Sequence, residues 1–357
     1  MSNQWINFND RAINANSQIS EDVGGGAFTR LMFDIQAAIT NGAAPTMATA
    51  GPANLIRDLR ILSNSSVIAT ATGQDWFYIS ELFNGGVSDY AAPSTASTAV
   101  DTHATIDVDF DNMMPGAALD GTGTNQIGYR ADFGNGGDLS GSGSSALSGT
   151  VRAKGEHPGG VNTARVYVPR IQYQVLDGST ASTNIVYDKR FETPGQLLGF
   201  FIRTTDNGTN ANGLVKRMTV KRTPHMGSST EVFDGTWSEA RTVSQRYFGS
   251  PAFIPDGDGD PIAFQREGML FMPARTKNNI RAKRATRINP GDRYQIRFDN
   301  TGTAEGHYTS VTPGSGDQIF VVALFFEGSE PGPVDRSQRG VAAVGNNSGR
   351  TRAARGR

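Results

Sequence analysis

Short β-prone segments, separated by turns rich in Gly, Asn and Ser, run through most of this chain. They restrict its fold more than any other feature. HATIDVDFD (103–111) alternates Ile106, Val108 and Phe110 with Asp107, Asp109 and Asp111, the period-two pattern of a strand with one buried face and one carboxylate face. ARVYVPRIQYQVL (164–176) alternates as well, and its phase slips across Pro169, which predicts a bulge or a sheet edge there. DQIFVVALFFEG (317–328) is continuously apolar from Ile319 to Phe326, which predicts a strand buried on both faces. LIRDLRIL (55–62), SVIATATG (66–73), DWFYISELF (75–83), QLLGFFIRTT (196–205), LVKRMTVKRT (214–223), STEVFDGTW (229–237), GMLFMPA (268–274), NIRAKRATRI (279–288) and DRYQIRFDN (292–300) also read as strands. NGGDLSGSGSSALSG (135–149), TTDNGTNANG (204–213) and PGSGDQ (313–318) read as turns and surface loops.

About sixteen such strands fall into two groups, over 55–176 and 185–326, and eight per group is the number of a jelly-roll sandwich. The expected fold is therefore all-β: two eight-stranded jelly-roll sandwiches, with a short N-terminal helix and flexible termini. The expected division is 1–50 for an N-terminal arm and amphipathic helix, 51–180 and 181–333 for the two jelly rolls, and 334–357 for a basic tail. The helix is predicted from Phe28, Leu31, Met32, Ile35, Ala38 and Ile39, which recur at three- and four-residue steps and stop at Asn41-Gly42. A second short helix is predicted over Ser238–Gln245. A β-helix would show a short internal period, and none is visible.

Charge is unevenly placed. Residues 1–150 hold 5 basic and 15 acidic residues, and residues 151–357 hold 28 and 19. From Arg336 to its end the tail carries Arg336, Arg339, Arg350, Arg352, Arg355 and Arg357 among Gly, Ala, Ser and Asn, with no acid. Such a segment buries too little apolar surface to offset its ordering entropy, and its cations suit a polyanion, either nucleic acid or acidic lipid headgroups. It has no aromatic side chain for base stacking, so its binding would ignore base sequence. RTKNNIRAKRATR (275–287) is a second basic stretch, with Arg281, Lys283, Arg284 and Arg287 on an expected strand. It fits phosphate contact or a subunit contact with an acidic neighbour.

Few motifs point to chemistry. The chain has no Cys, which excludes disulfides and thiolate zinc sites. His103, His157, His225 and His307 lie far apart, without metal-ligand spacing. Phosphate-binding glycine loops and the nucleophile-elbow pattern are missing, so the chain reads as no enzyme. DGDGDP places Asp256, Asp258 and Asp260 at alternate positions, a spacing that can hold Ca2+ through oxygens or serve only as a solvated acidic turn. Pro261 stands where an EF-hand needs Gly. No run of 18 apolar residues is present, and the N-terminus lacks the charged and apolar regions of a secretory signal.

The segments ATGQDWFYISELFNGG, TPGQLLGFFIRTTDNG and DQIFVVALFFEG, with the basic tail, resemble the double jelly-roll major capsid proteins of tailless icosahedral viruses, the tectivirus and corticovirus type. The resemblance implies a virion protein that forms pseudo-hexagonal homotrimers and a capsid lattice. It also implies penton or minor capsid proteins as neighbours, and an internal membrane or the genome within reach of the termini. The competing expectation is a calcium-stabilised carbohydrate-binding β-sandwich, in which Trp76, Trp237 and Tyr90 stack on sugars.

Overall fold

A computed structural model describes residues 4–24, 26–41, 51–84, 90–91, 99–121, 126–140, 144–157, 167–248, 254–255, 261–262, 267–274, 285–304 and 308–328. Three main sheets organise them. The first outer sheet runs in the order Gln4–Asn7, Ser144–His157, Arg30–Asn41, Ala99–Asp109, Tyr90–Ala91, with Arg11–Asn14 also on Ser144–His157. A ten-stranded central sheet follows the order Thr209–Asn210, Gly195–Asp206, Gln318–Glu327, Val168–Asp177, Ser66–Ala71, Ile56–Ser63, Ile127–Phe133, Gln18–Gly24. Met269–Pro273 and Thr286–Ile288 extend it from Gly195–Asp206. The second outer sheet is Ile185–Arg190, Arg293–Asp299, Arg217–Thr223, Thr230–Thr236.

Each outer sheet encloses a core against part of the central sheet. In the first sandwich Phe33 of the outer sheet meets Tyr129 of the central one edge to face, 5.2 Å between ring centroids. In the second, Phe200 of the central sheet meets Tyr187 and Tyr294 at 5.8 and 5.6 Å. Side chains of this size, fully buried, each contribute about 1.5–3 kcal/mol through the hydrophobic effect.

The two cores touch through one layer of strands. In Gln318–Glu327, Ile319, Val321, Ala323 and Phe325 enter the second core, while Val322, Leu324 and Phe326 enter the first. Met269–Pro273 divides the same way, Met269 and Phe271 on one side and Leu270 and Met272 on the other. The continuous apolar run is thus a strand buried on both faces, as its composition predicts. Gly195–Asp206 belongs to this layer and carries a bulge between Leu197 and Gly199. At Gly199 a Cβ would fall 2.2 Å from the Met272 carbonyl oxygen, so only glycine fits there.

Three expectations are corrected. Arg30–Asn41 is a twelve-residue strand, not an amphipathic helix. Leu31, Phe33, Ile35, Ala37 and Ile39 are all buried, a period of two, and the strand is paired along its length on both sides. A helix would leave Phe33 and Ala37 off its apolar stripe, and ladder pairing with burial of Phe33 wins. The preceding residues are no free arm either: Gln4–Asn7, Arg11–Asn14 and Gln18–Gly24 pair into both sheets of the first sandwich. Conversely DWFYISELF is a helix, Gly73–Asn84, with Trp76, Phe77, Ile79, Ser80 and Phe83 all buried. Thr72 is its N-cap: the hydroxyl accepts from the Asp75 amide at 3.1 Å and donates to the Asp75 carboxylate at 2.7 Å.

The helix expected over Ser238–Gln245 is present as Trp237–Phe248, and it starts at a full capping box, between Thr236 and Glu239. Each long helix follows a hairpin, one in each half of the chain. The two helices meet where Phe83 packs on Phe248 and Phe271, at 5.2 and 5.5 Å. Pro169 lies at the start of Val168–Asp177, where ladder pairing is with Gln318–Glu327 and the recorded partner on the Ser66–Ala71 side begins at Ile171. That is the edge-like position a missing N–H requires.

Candidate assembly interface

The strand ladders define two ends of the molecule. Val168, Gly195 and Ile288 lie at the end where Gln318–Glu327 finishes. Arg190 and Arg293 face each other at the matching end of the second outer sheet, which the bond from Arg222 to the Arg287 carbonyl (3.1 Å) joins to the central one. The first sandwich reaches the same end through Tyr167. Its amide donates to the Gly116 carbonyl at 3.2 Å, in the loop after Phe110, and the Phe110 amide donates to Thr29. Trp5 covers the Arg30 guanidinium there at 5.3 Å. Gln4 and Gly328, from which the N- and C-terminal segments depart, therefore share one end.

Arg190, Lys221, Arg287 and Arg293 are exposed at that shared end, where Arg293 is paired with Asp188 and Arg190 with Glu192 at 3.4 Å, and Met226, at 90% exposure, caps its hairpin. Asp292 is its buried counter-charge. It accepts from Arg222 at 2.9 Å and from the amides of His225 and Asn289 at 2.9 and 3.2 Å. Burial pushes this carboxyl up, but these donors together hold it below the ordinary carboxylate range. The opposite end is acidic, with Asp177, Asp206 and Glu267 exposed. Arg217, on that side, is paired with Asp234 at 2.7 Å.

The seam between the sandwiches holds one ion pair. Arg203 Nε donates to Asp75 Oδ1 at 2.5 Å, with the two side chains 4% and 0% exposed. The guanidinium also lies 3.8 Å over the Phe320 ring. The pair ties the first helix to the central strand Gly195–Asp206, within the layer that separates the two cores.

Of the residues singled out from sequence, Arg287 is placed: it is exposed in Thr286–Ile288, at the end that both terminal segments share. Arg281, Lys283, Arg284, the calcium candidates Asp256, Asp258 and Asp260, and the six tail arginines lie outside the described residues. Sequence reading missed Arg190, Arg222 and Arg293, because strand pairing brings them together from distant positions. The carboxylate face of Ala99–Asp109 is committed to structure. Asp107 accepts from Arg30 at 2.6 Å, Asp109 from the Asn112 amide at 2.8 Å, and Asp111 from the Gly116 amide at 2.7 Å. Trp76 and Trp237 are 0% and 2% exposed, so neither is available to stack on a sugar. Each spends its indole N–H inside, on the Leu59 carbonyl and on Asn212. No group of three His, Asp or Glu side chains among the described residues is arranged to hold a metal ion.

No protein-family model matches the sequence, and neither does any curated protein. Solved structures do match. The Sulfolobus turreted icosahedral virus major capsid protein has a TM-score of 0.63 at 12% identity, over 92% of this chain and 97% of that one. PBCV-1 VP54, as fitted into a reconstruction of the virophage Sputnik, has a TM-score of 0.56 at 10% identity, over 91% and 93%. A quasi-atomic model of the PBCV-1 virus capsid gives 0.52 at 10% identity, over 91% and 94%. The chain has the double jelly-roll fold of these proteins.

Proposed function

We propose that this protein is the structural subunit of an icosahedral virus capsid, assembling as trimers of pseudo-hexagonal outline that tile the shell. The observation that carries this reading is the fold match along nearly the whole length of both chains, with a TM-score of 0.63 to a major capsid protein. The fused cores support it. A two-sandwich unit locked through one shared layer presents a fixed outline to its neighbours, and three such units give six sandwiches around one axis. Many weak lateral contacts then sum by avidity. The end from which both terminal segments depart faces the interior, so that the arginine-rich tail meets genome or membrane, and the opposite end faces out.

Size-exclusion chromatography with light scattering, at moderate salt, tests the building block. A mass of three chains supports the reading; a monomer that stays monomeric as concentration rises contradicts it.

A further inference from the structure

The two halves of the chain are built on one plan. In the second half, Ile185–Arg190, Arg293–Asp299, Arg217–Thr223 and Thr230–Thr236 pair in that order. Facing them are Val168–Asp177, Gln318–Glu327, Gly195–Asp206 and Met269–Pro273. The first half repeats both sheets strand for strand, again all antiparallel. Gln18–Gly24, Ile127–Phe133, Ile56–Ser63 and Ser66–Ala71 form one. Gln4–Asn7 with Arg11–Asn14, Ser144–His157, Arg30–Asn41 and Ala99–Asp109 form the other. In each half a twelve-residue helix follows the hairpin, and Thr72 and Asp75 at the start of the first match Thr236 and Glu239 at the second.

The halves differ in what covers them. Within the chain, the outer side of the second half's Gly195–Asp206 sheet lies on the first half: Phe201, Phe271, Val322 and Leu324 join the first core, and Arg203 reaches Asp75 of the first helix. Val168–Asp177 runs parallel beside Ser66–Ala71, with Ile171 opposite Ala69. Asp75, Tyr78, Ile79 and Leu82, one stripe of the first helix, are thereby all buried. The matching stripe of the second helix is open: Glu239, Thr242 and Arg246 are exposed and Val243 is half-buried. The matching sheet face of the first half is open too. Met32, Asp34 and Ala38 are half-buried there and Gln36 exposed, around a hollow of about 730 Å³. Thr230–Thr236 and the Gln4–Asn7 line each end a sheet, with no further strand beyond them among the described residues. Charge suits a contact between these surfaces, since each offers a cation and a carboxylate: Arg246 and Glu239 on the stripe, Lys154 and Asp101 in the hollow. Both surfaces stay open within one chain, so the joint can be made a second time only with another copy, and a head-to-tail contact of this kind closes into a ring.

We propose that the helix Trp237–Phe248 and the edge Thr230–Thr236 of one copy dock on the outer face of the Arg30–Asn41 sheet of a second copy, repeating the joint already made inside the chain. The inference rests on the capsid reading above for self-association and adds the surfaces that meet. Gly195–Asp206 and Arg30–Asn41 are both twelve residues long, and matched end to end they put Ala38 where Arg203 stands, so the start of the second helix lies over Ala38 of the second copy. The chain has no Cys, so engineered cysteines report this contact without background. Full-length Ala38→Cys/Thr242→Cys protein, treated with a short thiol-to-thiol crosslinker, is expected to shift on a denaturing gel from one chain to two and three. Each single variant stays at one chain. So does Arg297→Cys/Thr242→Cys, whose first cysteine is exposed on the other outer sheet. Thermal melting checks that the variants fold, and Gln36→Cys, on the same face, takes the place of Ala38→Cys if that change lowers the melting temperature. Wild-type trimers with no shift in the Ala38/Thr242 pair, or with an equal shift in the Arg297 control, overturn this inference and leave the capsid reading standing. A wild-type chain that stays monomeric at every concentration overturns both.

Discussion

A single carboxylate, Asp75, does two jobs at once. It accepts from the hydroxyl of Thr72, the N-cap of the first helix, and carries the counter-charge for Arg203 in the seam between the cores. Removing one member of a buried pair leaves the other uncompensated, so Asp75→Asn is expected to destabilise by about 3–5 kcal/mol in urea denaturation. Replacing both members by apolar residues recovers much of that loss. A cost below about 1 kcal/mol for the single change shows that water reaches the pair. Asp292 sets a pH dependence of opposite character to that of a raised group. Its folded pKa lies below its unfolded value, so its stabilisation is present above the unfolded carboxylate range, near pH 4, and is lost as pH falls through the folded value. Denaturation midpoints are expected to fall on acidification below about pH 4, and Asp292→Asn flattens that limb. A limb equally steep in the variant rules Asp292 out as its source.

At the scale of elements, the two misread segments show what periodicity can and cannot decide. Residues 28–39 satisfy both a helical stripe and strict alternation, and the two patterns disagree mainly about Met32 and Phe33. The strand places Phe33 in the core and Met32 on the half-buried outer face. Phe33→Ala is therefore expected to cost about 3–5 kcal/mol and Met32→Ala less than about 1, measured by denaturant midpoint; the reverse order restores the helix. Gly73–Asn84 was misread because its aromatic and β-branched content favours strand, although Thr72-x-x-Asp75 was a legible start signal. Gln318–Glu327 was legible outright, because ten residues with no polar alternation leave a strand no solvent face. The basic cluster was legible only at Arg287. Arg190, Arg222 and Arg293 join it through pairings between strands far apart in sequence, which one sequence alone does not specify.

The chain as a whole carries its charge unevenly, with six arginines and no acid from Arg336 to Arg357. On the proposed capsid reading, a closed shell turns this arginine-rich segment inward. Trypsin acting on intact particles is expected to leave Arg350–Arg357 uncut, whereas the unassembled protein loses them; their ready removal from particles that stay closed places the tail outside. The central claim is that two fused sandwiches form a unit built to tile with copies of itself, and electron microscopy of the purified, concentrated protein tests it most directly. Pseudo-hexagonal trimers that pass into shells or flat hexagonal sheets as concentration rises are the predicted result. Single compact particles at every concentration would contradict it.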